Sequence, residues 1–163
     1  RGRLGRKSRK TGEFPVTAIA FYHLQRLPLE TALPRLLEKT LQAGKRAVVI
    51  AGSPERVEAL NAMLWTYDGP SWLPHGSRKD GHAEEQPVWL TDGADNPNGA
   101  AFLFLTDACD GPVADYERCF DLFDGNDPAA VEAARNRWRA CKEAGHELTY
   151  WQQTDRGGWE RKA

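Results

Sequence analysis

Apolar positions along the chain alternate between short unbroken runs and a three-to-four spacing, which predicts alternating strands and helices. Residues 17–24 (TAIAFYHL) predict a first strand. Leu29, Leu33, Leu36, Leu37 and Leu41 follow at helical spacing, and Gly44 supplies the C-terminal cap. Residues 46–51 form a short apolar run suited to a strand buried on both faces. Ser53 then caps a second helix with Pro54 in its first position, and Val57, Leu60, Met63 and Leu64 form its inner face. Residues 68–86 read as loop, interrupted by Trp72-Leu73-Pro74-His75. Residues 88–91 and 101–106 predict two more strands, and 119–123 another that leads into a third helix from about 127 to 145. After Gly145, HELTYW predicts a last short strand, and 152–163 read as a polar tail. The alternation predicts an α/β fold: a single three-layer domain over 16–151, its mostly parallel sheet flanked by helices.

Composition adjusts this picture at the ends. With 163 residues and 40% hydrophobic content the chain is one domain with a real core. The net charge of −1 conceals a division, because six of the 22 basic residues fall in the first ten positions. From Val16 onward 16 basic residues face 22 acidic ones, about −6, so the folded part is mildly acidic and its cations matter by placement. The segment 1–15 (RGRLGRKSRKTGEFP) has no apolar period and reads as a disordered basic leader added ahead of the native protein, the alternative being a nucleic-acid-binding arm. No stretch approaches the ~18 apolar residues that span a membrane. Three unevenly spaced cysteines point away from a disulfide framework and towards a reducing, cytoplasmic setting.

Catalytic and cofactor motifs are incomplete. Gly44-Lys45 stands beside a strand, but a phosphate loop needs a second glycine five residues earlier, a following Ser or Thr, and then a helix. Lys39, Arg46 and a strand occupy those places. The turn Ala51-Gly52-Ser53-Pro54 offers one glycine where a dinucleotide site uses three, and Pro54 removes a backbone donor. Cys109, Cys119, Cys141 and His146 include no CxxC pair, and Cys119 and Cys141 fall on apolar faces. His23, His75 and His82 lie in unrelated segments. The expectation is no catalytic residue, no metal and no cofactor.

The third helix carries the strongest signal. Arg135, Arg139 and Lys142 fall at i, i+4 and i+7, so they line one face, and Trp138 flanks them. No acid precedes the row at i+4 spacing; Glu143 follows Arg139 instead. Such a row is commonly a plain solvated face. Beside a large ring it suits a short acidic segment that ends in an aromatic residue. Trp65, Trp72 and Pro74 form a second cluster, consistent either with core or with an exposed patch for a partner.

Four segments, in order, resemble the chi subunit of bacterial DNA polymerase III: GKRAVVIAGSPERVEALNAMLW, SWLPHG, PVWLTDG and ARNRWRACKEAGHEL. The resemblance covers about residues 18–151. It implies a Rossmann-like fold without a nucleotide fingerprint, and an accessory role that joins the clamp-loader assembly to single-stranded DNA-binding protein, with indirect DNA contact and no membrane. By position, Arg135, Trp138 and Arg139 would hold that partner's acidic C-terminal tail, Lys142 would extend the site, and Phe123 would line the pocket for the terminal phenylalanine. Val131 stands where some members place a further lysine. Trp65, Trp72, Pro74 and His75 would bind the psi subunit or another clamp-loader component. The alternative is a nucleotide-binding or hydrolytic α/β enzyme acting at the carboxyl ends of its strands.

Overall fold

The computed structural model describes residues 16–67 and 73–163; the basic segment 1–15 and Trp72 lie outside the described residues. One sheet holds β1 (Ala18–Leu24), β2 (Ala47–Ile50), β3 (Val88–Thr91), β4 (Phe102–Leu105), β5 (Arg118–Asp124), β6 (Glu147–Gln153) and β7 (Trp159–Arg161). The helices are α1 (Leu29–Gln42), α2 (Pro54–Trp65) and α3 (Pro128–Glu143). Strand order is β3-β2-β4-β5-β1-β6-β7, parallel throughout except for the β6–β7 pair.

The layers follow from strand alternation. Ala20 and Leu24 of β1 face Leu33 and Leu37 of α1, in a cluster that also takes Val57, Leu60 and Leu64 of α2. Ile19 and Phe21 point the other way, with Cys119 and Phe123 of β5, towards Ala134 of α3. Every residue of β2 is buried, as expected for a parallel strand covered on both faces. The chain leaves β1 towards β2 on one side and leaves β5 towards β6 on the other. The β5–α3–β6 crossover therefore carries α3 across the face of β1.

Local chemistry fixes the helix ends. Ser53 Oγ accepts the Arg56 N–H at 3.1 Å, and Asp127 Oδ1 accepts the Ala129 N–H at 3.0 Å, each ahead of a proline. Helices α1 and α3 end alike. Gly44 and Gly145 adopt positive φ (76° and 89°), and the next N–H reaches back, Lys45 to Thr40 O at 3.1 Å and His146 to Cys141 O at 3.2 Å.

The C-terminal segment corrects the sequence reading. HELTYW is not the last strand: β6 continues to Gln153, and the supposed polar tail folds back as β7. Gly157, at φ 86°, turns the hairpin, and Thr154 closes it by donating its N–H to Gly158 O at 2.8 Å. Trp159 then reaches Tyr22 edge-on, 4.9 Å between ring centroids.

Candidate functional site

Helix α3 sets one wall of a cavity of about 460 Å³ on its own side of the sheet. Ala134 is buried, and Val131, Trp138 and Cys141 are half-buried against the strands. This face leaves Arg135, Arg139 and Lys142 exposed beside it. Trp138 is more than a flank to the cations: its ring meets Phe21 edge-on at 5.2 Å and Tyr150 at 6.3 Å. Phe123, 4% exposed, stacks on Tyr150 with an interplanar angle of 11°. Of the residues expected to act together, Phe123, Arg135, Trp138 and Arg139 line this one cavity. Lys142 does not line it, and sits on the same exposed row one turn further along.

The opposite wall comes from residues the sequence reading passed over: Phe21, His23, Tyr150, Gln152 and Ala163. His23 Nδ1 lies 2.5 Å from the Tyr150 hydroxyl, to which Gln152 Nε2 donates at 3.1 Å. Burial holds the His23 imidazole below its ordinary value, and Arg135 adds to this against the Gly125 backbone and Asp124. A neutral His23 lets Nδ1 accept the Tyr150 O–H, and the tyrosine oxygen then accepts from Gln152. The imidazole also fills the place of a side chain at Gly125, where a Cβ would fall about 2.0 Å from His23 Nε2.

The cations are less isolated than their spacing implied. Glu132, three residues before Arg135, lies 3.6 Å from its guanidinium, and Arg139 donates to Asn136 Oδ1 at 2.8 Å. Both contacts are solvent-exposed and release their cations at little cost. Arg137, inside the same segment, turns to the other side of α3 and pairs with buried Asp121 through Nε at 2.6 Å and Nη2 at 2.9 Å.

The second cluster separates by depth. Trp65, at the end of α2, is 56% exposed and rests on the His75 ring at 4.6 Å. His75 is buried rather than presented: Nδ1 faces Leu73 O at 2.6 Å and Nε2 faces Asn61 O at 3.3 Å. Pro74 is half-buried.

The turn after β2 is already occupied. Gly52 donates its N–H to Asp107 Oδ2 at 2.9 Å, and Arg56 holds the same carboxylate through Nε and Nη2 at 3.1 and 3.2 Å. A carboxylate of the chain itself takes the donor that a phosphate would use at this helix start. Asp107 and Ala108 reach this position with φ of 55° and 59°, a conformation unusual for residues with a Cβ. Among the described residues no group of three or more His, Cys, Asp or Glu is placed to hold a metal. His146 Nδ1 accepts the Thr17 N–H at 3.1 Å, a structural use of that ring. No helix among the described residues is long and apolar enough to cross a membrane.

Residues 16–149 match the family model described as DNA polymerase III chi subunit, HolC. A Rickettsia prowazekii (strain Madrid E) protein named "Probable DNA polymerase III subunit chi" is 33% identical over 91 residues. That alignment covers 56% of this chain and 55% of the relative, so the match spans about half of each.

Proposed function

Because the chain belongs to the DNA polymerase III chi subunit family, we propose that it is a non-catalytic adaptor of the replicative polymerase, acting in the cytoplasm. It joins the clamp-loader assembly to the acidic C-terminal tail of single-stranded DNA-binding protein, with no cofactor of its own. The observation that carries this reading is the cavity beside α3. Phe21, Phe123, Trp138 and Tyr150 give it aromatic walls, and Arg135 and Arg139 stand at its rim. An acidic peptide ending in Pro-Phe places its ring between those walls and its carboxylates against the guanidiniums, with Lys142 receiving acids further along.

The expected affinity is on the order of micromolar, about −8 kcal/mol, and weakens with salt because the cations are exposed. Calorimetry with an acid-ended and an amide-ended peptide tests it. The acid should bind several-fold tighter, through the two parallel hydrogen bonds an arginine offers a carboxylate. Equal affinities, or no loss in Arg139→Glu, would sink the assignment. Trp65, with His75 beneath it, and Pro74 serve a second partner, the psi subunit or another clamp-loader component. The occupied turn at Gly52 favours this adaptor over a nucleotide-dependent enzyme.

A further inference from the structure

The opposite face of the sheet carries an aromatic shelf that the tail-binding reading leaves unused. Phe120 of β5, Tyr22 of β1 and Trp151 of β6 follow one another across neighbouring strands, with centroids 6.2 and 6.1 Å apart and interplanar angles of 27° and 10°. Trp159 of β7 closes the row edge-on to Tyr22. Phe120 is core, whereas Tyr22, Trp151 and Trp159 pack against the core and stay half-buried. Trp151 is held flat by donating Nε1–H to Thr149 Oγ1 at 3.0 Å.

Guanidiniums interleave with these rings. Arg118 lies 5.4 Å from the Phe120 centroid and 5.7 Å from that of Phe102. Arg161 pairs across strands with Trp151, on the same face. Neither arginine forms an ion pair among the described residues. Two acids of β5 and β6 share this face at the strand ends: Glu147 opens β6 in register with Arg118 across Ala18, and Asp124 ends β5 with its Oδ1 accepting the Asn126 N–H at 2.9 Å.

We propose that this shelf binds single-stranded DNA directly, its bases stacking on Trp151, Trp159 and Tyr22 and its phosphates pairing with Arg118 and Arg161. The charges decide between occupants. An apolar protein segment laid on the rings would desolvate two guanidiniums that have no ion-pair partner, Arg161 giving only its Nε–H to Ala163 O at 2.9 Å, whereas a phosphate backbone supplies an anion for each. A duplex hides the base faces that a single strand offers to aromatic side chains. The shelf lies on the far side of the sheet from α3, so tail peptide and DNA bind together and the contact adds to the indirect one.

The test uses the full chain with an oligothymidylate of about 12 nucleotides at low salt, within the usual site sizes for single strands. Tryptophan fluorescence and the anisotropy of labelled DNA are read together. Quenching with salt-sensitive binding is expected, with a same-length duplex competing poorly and the tail peptide not at all. Trp159→Ala should weaken binding about five-fold or more. The Arg118→Glu/Arg161→Glu double variant should abolish most of it and reduce the salt slope by about 1.4, two single-strand phosphate contacts. Thermal unfolding accompanies each variant. If Trp159→Ala loosens the fold, the exposed arginine pair decides. DNA binding unchanged in that double variant would place the strand elsewhere, the basic residues 1–10 included, and overturn the proposal. So would loss of acidic-peptide binding in the double variant, which would make this face a protein site.

Discussion

Arg137 lies within the basic segment of α3 yet belongs to the core. Its side chain is 10% exposed and that of Asp121 is 2% exposed, joined by two hydrogen bonds. Burial pushes the Asp121 carboxyl above its ordinary range, against the pull of Arg137. Removing one partner strands the other in a dry site, so Arg137→Ala should cost about 3–5 kcal/mol, read by urea unfolding. The Arg137→Met/Asp121→Leu double variant should lose much less, since an apolar pair of similar size restores the packing. A single-variant loss below about 1 kcal/mol would show that the pair is screened. Helical spacing separated Arg135, Arg139 and Lys142 from the rest of their helix without identifying what Arg137 meets. The one trace of its partner was an aspartate inside the apolar run CFDLF. His23 was illegible for a related reason: its role rests on Tyr150 and Gln152, more than a hundred residues away in sequence.

At the scale of elements, predicted and observed boundaries agree to within two residues from β1 through α3, because caps and apolar runs there are local signals. The β6–β7 hairpin was missed because only Trp159 of its second strand enters the core, leaving a composition that reads as polar. The turn chemistry of TDRGG was the signal available. Helix α2 shows the opposite case. Its inner face buries Val57, Leu60 and Leu64, and its last residue, Trp65, stays outside. Trp65→Ala should therefore change stability by only about 1 kcal/mol, the worth of one aromatic contact, here with His75. The same change should abolish co-purification with the polymerase assembly, as for an anchor worth about 2 kcal/mol or more. A large fall in melting temperature, or full retention in the assembly, would show that the exposed ring is not an anchor.

The molecule as a whole departs from the 3-2-1-4-5-6 strand order of the dinucleotide-binding fold and gives the Gly52 N–H at the start of α2 to Asp107. Addition of about 1 mM Mg-ATP should leave the melting temperature unchanged, since a ligand at many times its Kd would raise it by mass action. Saturable low-micromolar binding, or hydrolysis abolished by Lys45→Ala, would restore the enzyme reading. The central place of β1 has a temporal consequence. Ala18 pairs with Arg118 on one side and Glu147 on the other, so both neighbours of this early strand are translated a hundred or more residues later. At ordinary translation rates of roughly 5–20 residues per second, β1 waits on the order of ten seconds on the ribosome for either edge to be covered. Residues 21 and 23 of that waiting strand meet residues 150 and 152 to close the cavity. A nascent chain therefore lacks this cavity, which closes only once β6 has paired with β1.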